Sequence, residues 1–473
     1  MTTSAKQHKM DLKNRYHFIG IGGIGMGALV SLLLAKGFKV SGSDLKESAM
    51  TSALRTRGAQ ILIGHDRGYI NGADVVVYSS AVREDNPELS EARQKKLVVI
   101  KRAQLLSQLM ENHIGITVAG AHGKTTTTSM ISNMLIEAGL KPTTAIGGVI
   151  KGANGDFYNA SVGTGQYFVA EVDESDGSFL FFHPRLSVIT NIDFEHIDFY
   201  HNWENVLKAY KEYINHTEPE GRVIACGEDT HLGELLEKSK VAYTTYGFSE
   251  DQDIYADNVR LEGQGSRFDC LCQGERLGGI KLNVPGRHNI LNALAAVCVG
   301  KSLAIDFDII KKSMEAYSGV NRRFQLKGQT KDITVVDDYG HHPTEISATL
   351  EAARATQENR LVVVFQPHRY SRTKFLMDDF VRCLQVADYL IITDIYAASE
   401  EPLEGVDAQT LVRKLQEKGK TEVIYLPKEQ IVEHLIGIVR PKDLVITLGA
   451  GDIYRTGEEF LAALGQPTEI KQG

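Results

Sequence analysis

A segment suited to binding phosphate groups lies about a quarter of the way along the chain. Residues 120–126 read Gly-Ala-His-Gly-Lys-Thr-Thr, between an apolar run that predicts a strand and a pattern that predicts a helix. In such loops backbone N–H groups surround the phosphates, a lysine reaches the β- and γ-phosphates, and a hydroxyl ligates Mg²⁺. Lys124 and Thr125 stand at these two places, although Val118 replaces the usual earlier glycine. The residues of this predicted nucleotide site are Gly120, Ala121, His122, Gly123, Lys124, Thr125 and Thr126.

Two acidic segments follow, each directly after a predicted strand. The first, at 171–176, reads Glu-Val-Asp-Glu-Ser-Asp, and the second, at 191–198, reads Asn-Ile-Asp-Phe-Glu-His-Ile-Asp. Carboxylates at the end of a strand beside a phosphate loop would suit Mg²⁺, which prefers oxygen ligands. One such segment could equally be a solvated turn, but two at the ends of neighbouring strands favour a metal site. The chemistry alone leaves His196 open as a ligand.

A second glycine-rich loop, at 20–25, reads Gly-Ile-Gly-Gly-Ile-Gly between a predicted strand and a predicted helix. Small residues let the backbone approach a pyrophosphate, whose charge is stabilised at a helix N-terminus. Asp44 ends the next predicted strand, where an acid often meets a ribose hydroxyl. By itself the motif favours NAD, although another diphosphate nucleotide or a tight turn without a ligand would share it.

Polar clusters in the second half of the chain also fall at the ends of predicted elements. Asn289 and Asn292 open a predicted helix, which they could cap, or they could bind an adenine edge. Arg323 could reach a phosphate. The segments at 337–343 and 365–372 end two predicted strands, where open α/β sheets bind ligands. Either segment could instead be a polar loop.

These motifs need a framework of parallel strands, and the apolar pattern predicts one. Strand-like runs alternate with helical patterns from residue 16 onward, which is typical of a doubly wound parallel sheet. New α/β units begin near residues 114 and 321, and residues 253–285 predict antiparallel hairpins. The fold class is therefore α/β with three domains, in which a central parallel sheet of the phosphate-loop ATPase type carries an added antiparallel portion.

Composition excludes several classes of protein. A chain of 473 residues predicts about three domains. The net charge is −8 without a dense Lys/Arg block, which argues against a nucleic-acid partner. No apolar run reaches the roughly 18 residues that a transmembrane helix needs. Five cysteines without a C-x-x-C pair fit a reducing compartment, so we expect a cytoplasmic enzyme that does not insert in a membrane.

In this order, the motifs closely resemble those of the Mur ligases of peptidoglycan synthesis. The resemblance extends from about Tyr16 to Tyr454. Its most specific parts are residues 17–26, the Gly-Lys-Thr-Thr loop, Glu-Val-Asp-Glu-Ser-Asp and the Asp-Asp-Tyr-Gly-His-His-Pro segment at 337–343. Tyr78-Ser-Ser-Ala-Val82 adds to it. The match is best to the members that add L-alanine to UDP-N-acetylmuramate.

The resemblance implies an N-terminal Rossmann-like UDP-sugar-binding domain (1–113), a central ATP-binding domain (114–321) and a C-terminal Rossmann-like domain (322–473). It implies that ATP activates the carboxylate of UDP-N-acetylmuramate as an acyl phosphate, which L-alanine attacks. The first glycine loop would then bind the UDP pyrophosphate and not NAD. The implied ligands of the sugar nucleotide are Gly20, Gly22, Gly23, Gly25, Asp44, Ser79, His342 and Arg369.

The resemblance also implies roles at the ATP site. Thr125, Glu171 and His196 would hold Mg²⁺, with Glu171 favoured over Glu174 because the family's metal-binding glutamate closes the strand. The side chains of Asn289 and Asn292 would face adenine, and that of Asp338 the ribose. Arg323 would contact phosphate, and the expected catalytic residues are Lys124, His196 and Arg323.

Three alternatives remain open at this point, along with the choice between a monomer and a homodimer. A ligase that attaches a whole tripeptide to the same sugar nucleotide would have a similar active-site frame. An NAD-dependent oxidoreductase would use the first glycine loop but would leave the Gly-Lys-Thr-Thr loop without a role. A nucleotide-gated regulatory protein would use that loop without catalysis.

Overall fold

The computed structural model describes residues 14–151, 157–356, 360–398, 400–420 and 422–465. The chain divides into two compact units, one of residues 1–256, 270–277 and 291–313, and the other of residues 257–269, 278–290 and 314–473. Of the three domains expected from the sequence, the first begins and the last ends outside the described residues, and the boundaries at 113 and 321 stay predictions. Among the described residues, no helix combines the length and apolar character needed to cross a bilayer.

The first sheet is a five-stranded parallel sheet with strand order β3-β2-β1-β4-β5. Strand order reverses beside β1, and this is where doubly wound sheets bind ligands. The glycine loop follows β1 directly, so the sheet presents it at that switch point. The elements are β1 (Arg15–Ile19), α1 (Ile24–Ala35), β2 (Lys39–Asp44), α2 (Ala49–Thr56), β3 (Gln60–Ile63), β4 (Val75–Tyr78), α3 (Pro87–Gln94), β5 (Val98–Lys101) and α4 (Arg102–Met110).

The second sheet has β6 at its centre, in parallel with β10 on one side and β9 on the other. Because the three strands run in the same direction, the segments that follow them emerge at one edge. These segments are the phosphate loop and the two acidic segments, as the sequence predicted. The elements are β6 (Ile114–Ala119), α5 (Lys124–Glu137), β7 (Thr143–Lys151), β8 (Phe157–Ser161), β9 (Tyr167–Glu171), β10 (Leu186–Ile189), α6 (Ile197–Tyr200), α7 (Trp203–Asn215), β11 (Arg222–Cys226), α8 (Thr230–Glu237) and β12 (Tyr243–Gly247).

The strand order across this sheet is β12-β11-β10-β6-β9-β7-β8, with β7 and β8 antiparallel. Next in the order come β13, β14 and β15. Connections of two residues join these three strands, and such short connections join only antiparallel neighbours, so the predicted hairpins at 253–285 are present. The remaining elements here are β13 (Ile254–Glu262), β14 (Gly265–Cys272), β15 (Glu275–Leu282), α9 (Arg287–Ser302) and α10 (Phe307–Ala316).

The third sheet has the order β16-β17-β21-β18-β19-β20, parallel except for the antiparallel edge strand β16. Apolar residues are buried on both of its faces, which is typical of a sheet covered by helices on each side. The elements are β16 (Gln325–Thr330), β17 (Ile333–Asp338), α11 (Pro343–Thr356), β18 (Leu361–Phe365), α12 (Tyr370–Phe375), α13 (Met377–Cys383), β19 (Tyr389–Ile392), α14 (Ala408–Glu417), β20 (Val423–Tyr425), α15 (Lys428–Ile438), β21 (Leu444–Leu448) and α16 (Tyr454–Leu464).

Helix α5 begins with Lys124 followed by four consecutive threonines, which are poor helix formers because they are branched at Cβ. The hydroxyls of Thr125, Thr127 and Thr128 are nevertheless hydrogen-bonded. Thr128 donates to the carbonyl of Lys124 at 2.8 Å, and Ser132 donates to that of Thr128 at 2.7 Å. These bonds satisfy polar groups that burial would otherwise penalise, so the helix N-terminus stays packed under the phosphate loop.

Candidate active site

The phosphate loop packs tightly against the residues that directly follow β10. Gly120 has φ +125°, and a Cβ at this position would lie 2.2 Å from the Thr190 hydroxyl and 2.9 Å from the Asn191 carbonyl. Only glycine fits such a site without strain. Asn191 also accepts a hydrogen bond from the His122 amide at 2.9 Å and donates one to the His122 carbonyl at 3.0 Å. The start of the second acidic segment therefore fixes the loop backbone.

Lys124, the expected catalytic lysine, is folded back over its own loop. Its ammonium donates to the carbonyls of Gly120 and Ala121, and it lies 2.9 Å from the Glu174 carboxylate. Burial alone would lower the pKa of Lys124, but the carboxylates of Glu174, Asp173 and Glu171 outweigh it, so the pKa lies above its ordinary value. The side chain is therefore a permanent cation at neutral pH.

Thr125 and Glu171, two expected metal ligands, contact each other. The Thr125 hydroxyl donates to Glu171 Oε1 at 3.0 Å, while Glu171 Oε2 accepts the Gly147 amide at 2.8 Å. A hydroxyl oxygen and a carboxylate oxygen side by side suit Mg²⁺, which takes oxygen ligands and usually retains several waters. The donor set at this point therefore fits the ion that the sequence implies.

His196, the third expected metal ligand, belongs to a neighbouring group with Glu174 and Glu195. The ligand atoms of the three side chains all lie within 4.8 Å of one another. Burial lowers the pKa of His196, but hydrogen bonding to Glu174 and the charges of both glutamates raise it above the ordinary value. His196 also has φ +56°, a left-handed backbone conformation that is uncommon for residues other than glycine.

In the structure, the predicted metal ligands therefore lie in two neighbouring groups of side chains. Glu171 lies with Thr125, and Glu174 lies between Lys124 and His196. Glu195 was not among the predicted residues, although it precedes His196 in the second acidic segment. Its carboxylate lies 3.5 Å from His196 Nε2. The only sequence signal for Glu195 was its place in that segment.

His122 and Asn292 connect the loop to other parts of the same compact unit. His122 Nε2 lies 2.9 Å from Asp193 Oδ2, which joins the loop to the second acidic segment. Asn292 accepts a hydrogen bond from the Thr127 hydroxyl at 3.1 Å, and a Cβ at Gly123 would lie 2.6 Å from its side-chain oxygen. The predicted adenine-facing Asn292 is therefore buried against the start of α5. Thr126, the last residue of the predicted loop, is likewise buried.

The glycine loop of the first sheet is held by β2. The amides of Gly20 and Ile21 donate to the Ser43 carbonyl at 2.9 and 3.0 Å, and the Gly22 amide donates to Asp44 Oδ2 at 2.8 Å. Asp44 therefore contacts the loop itself, in addition to its expected place at the sugar nucleotide. The next amides of the loop lie at the start of α1, where the helix dipole favours an anion.

Both loops open on one cavity of about 310 Å³. Gly20, Gly23, Gly25 and Ser79 line it from the first sheet, and Lys124 and Glu171 line it from the second. All of these residues lie within the same compact unit. A molecule bound to the glycine loop could therefore place another of its groups beside the phosphate loop.

The other compact unit contains Arg323 and Asp338, the expected phosphate and ribose contacts. Asp338 accepts the amides of Phe324 and Gly340, both at 2.7 Å. Burial raises the pKa of Asp338 to about 6, despite the opposing effect of Arg323 and of the two amides. Arg323 lies 3.1 Å from Glu345 and 5.4 Å from the centre of the Tyr339 ring, so its guanidinium is held in one orientation.

The remaining predicted residues in this unit lie at the ends of its elements. Asn289 donates to the Pro285 carbonyl at 2.7 Å, an interaction within its own helix start. His342 is buried directly before α11, and Arg369 precedes α12 with φ +70°. The Arg369 amide donates to the Tyr396 carbonyl at 2.9 Å, which helps to hold this unusual conformation. His342 and Arg369 follow the parallel strands β17 and β18, as the sequence predicted.

Three family models match the chain in succession. They are described as "Mur ligase family, catalytic domain" over residues 15–114, "Mur ligase middle domain" over 118–300 and "Mur ligase, glutamate ligase domain" over 322–451. The first and third ranges contain the first and third sheets, and the second range covers the second sheet from within β6 onward.

Relatives and solved structures are similar over nearly the full length. A UDP-N-acetylmuramate–L-alanine ligase of Geobacter sulfurreducens is 47% identical, covering 95% of this chain and 97% of its own. One from another Geobacter strain is 48% identical over the same shares. The crystal structure of UDP-N-acetylmuramate-alanine ligase MurC from Thermotoga maritima is 29% identical, with a TM-score of 0.81, and covers 95% of this chain and 98% of its own.

Proposed function

Because the chain belongs to the Mur ligase family, we propose that it joins L-alanine to the carboxylate of UDP-N-acetylmuramate at the expense of ATP. The products are UDP-N-acetylmuramoyl-L-alanine, ADP and phosphate, a step in the synthesis of peptidoglycan precursors. The relatives at 47% and 48% identity carry the name of this activity. It fits the cytoplasmic enzyme, monomer or homodimer, that the sequence predicts.

One structural observation carries the proposal: a glycine loop at a sheet switch point and an ATPase-type phosphate loop line the same cavity. An NAD-dependent oxidoreductase needs only the first loop, and an ATPase needs only the second. A ligase that activates a nucleotide-linked acid needs both, because the diphosphate and the reacting carboxylate are parts of one substrate. The cavity offers both ends of that substrate a place.

The chemistry follows from the poor reactivity of a carboxylate, whose oxide is a very poor leaving group. One carboxylate oxygen attacks the γ-phosphorus of ATP, the bond to the β-phosphate oxygen breaks, and ADP leaves. The acyl phosphate then accepts the neutral amine of L-alanine, and the tetrahedral intermediate expels phosphate. Phosphoryl transfer depends mainly on positioning and electrostatic stabilisation. Lys124, a permanent cation at the loop, supplies that stabilisation.

The residues that would hold Mg²⁺ are Thr125 and Glu171, with His196 in the adjoining group. The ion would neutralise charge on the phosphate oxygens. The same side chains orient one another: Thr125 donates to Glu171, and the Gly147 amide fixes the second carboxylate oxygen. Glu174 keeps Lys124 at the loop, which leaves Glu171 as the carboxylate beside the threonine hydroxyl.

In the other compact unit, Asp338 and Arg323 suit the ribose and phosphate of ATP, and Asn289 suits adenine. His342 and Arg369 suit an anionic part of the sugar nucleotide. Asp338 ends β17, Arg323 lies shortly before β16, and Asn289 lies in the first turn of α9. His342 and Arg369 directly precede α11 and α12. An acyl phosphate must be protected from water, so we expect closure of the active site during the reaction.

The test is phosphate release from the purified chain with combinations of substrates. Release should require ATP, Mg²⁺, UDP-N-acetylmuramate and L-alanine together, and a panel with glycine, L-serine and L-alanine measures selectivity. A solved tripeptide-adding ligase from Neisseria meningitides is 28% identical with a TM-score of 0.60, so the tripeptide belongs in the panel. Release that needs no amino acid, or that occurs only with the tripeptide, contradicts the proposal.

A further inference from the structure

Arg102 is a cation of the shared cavity that no sequence motif points to. It is the first residue of α4 in the first-sheet region, and its side chain lines the cavity together with both phosphate-binding loops. About a quarter of the side chain is exposed (25%), so it is neither fully buried nor free in solvent. Neither the predicted sites nor the proposed mechanism gives it a role.

Gly25 makes room for this side chain. A Cβ at Gly25 would lie 2.9 Å from Nη1 of Arg102 and 3.3 Å from its Cδ. Any larger residue at position 25 would therefore push the guanidinium away from the start of α1. The last glycine of the loop thus has a second role besides backbone approach, which is to let Arg102 lie across the helix N-terminus.

Asp173 fixes the other side of the guanidinium. Nη2 of Arg102 lies 3.5 Å from Oδ2 of Asp173, and Oδ1 of Asp173 accepts the Ser175 amide at 3.0 Å. The guanidinium of Arg102 therefore lies between the glycine loop and the first acidic segment, in contact with both.

The charges of the cavity define what Arg102 could bind. Among the lining residues, Arg102 and Lys124 are the cations, and Glu171 and Asp173 are the anions. Lys124 belongs to the phosphate loop, where ATP adds further negative charge. A substrate carboxylate that approaches the γ-phosphate would be repelled unless a second cation stood between the two loops. Arg102 stands there, and its planar fork of donors matches a carboxylate.

We propose that Arg102 binds the lactyl carboxylate of UDP-N-acetylmuramate beside the phosphate loop, and that Asp173 is the residue that positions the guanidinium. This inference rests on the proposed function. The guanidinium holds one carboxylate oxygen, which leaves the other oxygen to form the bond to phosphorus as ADP departs. Arg102 exchanges no proton in this step, because its pKa is far above neutrality.

The sharpest test compares two sugar nucleotides that share the uridine diphosphate but differ in the carboxylate. UDP-N-acetylmuramate carries the lactyl acid, whereas UDP-N-acetylglucosamine lacks it. Equilibrium binding is measured for the wild-type chain and for Arg102→Ala, with Arg83→Ala as the matched control, because Arg83 is an exposed arginine in the same region. We expect Arg102→Ala to weaken binding of the acid by about 10- to 100-fold, as for one charge-assisted hydrogen-bonded pair, and to leave the other sugar nucleotide unchanged.

Each other outcome has a defined meaning. Equal weakening of both nucleotides would show that Arg102 binds the diphosphate, and unchanged binding of both would show that it touches neither, so either result overturns the inference. Arg102→Lys keeps the charge without the fork and should lose less affinity for the acid than Arg102→Ala. A loss of ATP affinity in the same variants would instead indicate a structural defect.

Two further measurements separate positioning from structure and from the proposed function. Asp173→Asn should reduce the ratio of the affinities for UDP-N-acetylmuramate and UDP-N-acetylglucosamine relative to the wild type. Added guanidinium ion should partly restore the kcat of Arg102→Ala, which a purely structural role of Arg102 would not allow. If the wild-type chain itself shows no preference for the acid and no phosphate release, the proposed function fails. If the wild type is active but the preference survives Arg102→Ala, only the assignment of Arg102 fails.

Discussion

The Lys124 ammonium lies 2.9 Å from the Glu174 carboxylate, and both side chains are largely buried. Burying an ion pair is costly for each partner alone, and removing one partner leaves an uncompensated charge. In the proposed function, the phosphates of ATP would therefore share Lys124 with Glu174 and would not simply approach an unpaired cation. The pair would thereby link the stability of this region to the proposed catalytic role of Lys124.

The buried pair predicts that a second substitution, at Glu174, restores the stability of a Lys124 variant without restoring its activity. Lys124→Ala should lower the free energy of unfolding by about 3 kcal/mol because it strands Glu174, and it should lower kcat by about 10²- to 10³-fold or more. Adding Glu174→Gln should recover most of the stability but none of the activity. Denaturant unfolding and phosphate release measure the two effects. Additive losses of stability would refute the buried pair as the cause.

Substitution of Glu171 should act on the metal. Glu171→Gln is expected to raise the Mg²⁺ concentration for half-maximal activity by at least about 10-fold, because the carboxylate lies beside the Thr125 hydroxyl. Glu174→Gln should shift it less, since that carboxylate faces Lys124. Glu137→Gln, on an accessible part of α5, is the control and should not change the Mg²⁺ dependence. A larger shift in Glu174→Gln would assign the metal to Glu174.

Protonation of Asp338 should determine how kcat/KM for ATP falls at acidic pH. Its pKa is raised to about 6, so protonation below that pH removes the charge that would face the ribose. We expect kcat/KM for ATP to fall as the pH drops through about 6, and Asp338→Asn to be low and flat over the same range. The pH profile of kcat/KM for ATP tests this, and an identical acidic limb in both proteins would contradict it.

The same raised pKa has a consequence for stability with a defined sign. Between the ordinary pKa of an aspartate, near 4, and about 6, the folded chain holds a proton that the unfolded chain has lost. The contribution of Asp338 is therefore fully present below about pH 4 and is lost as the pH rises through 6. Unfolding of the wild type between pH 4 and 7 should show this decline, and Asp338→Asn should show less of it.

Replacing glycine by alanine should lower the stability of the chain at one position, Gly120, and raise it at another, Gly233. Gly120→Ala places a Cβ against Thr190 at φ +125°, and we expect it to destabilise the chain by about 3 kcal/mol and abolish ATP binding. Gly233→Ala, in the middle of α8 with open space around it, should stabilise by about 0.5–1 kcal/mol. Thermal unfolding and nucleotide titration compare the two. Equal effects would mean that the close approach at Gly120 does not matter.

The parallel strands and the loops at their ends could be predicted from the sequence. Runs such as residues 361–365 are apolar throughout, which is typical of strands buried on both faces. The antiparallel edge strand β16 was not predicted, because its sequence Gln-Leu-Lys-Gly-Gln-Thr is mostly polar. In the fold, most of its residues are only half-buried. Its strand character comes from pairing with β17, an interaction that no local pattern expresses.

The sequence by itself predicted which loops would bind phosphate, because glycines, a lysine and threonines at those spacings follow from backbone geometry and ligand chemistry. Only the tertiary structure decided which side chains meet. Glu174 pairs with Lys124 and Arg102 with Asp173 across 50 and 71 residues of chain. Such pairs depend on which strands are neighbours and on the space left by residues such as Gly25. Parallel strands bring distant segments to one edge of the sheet, so the partners are set by the packing of the whole fold and leave no mark in the local sequence.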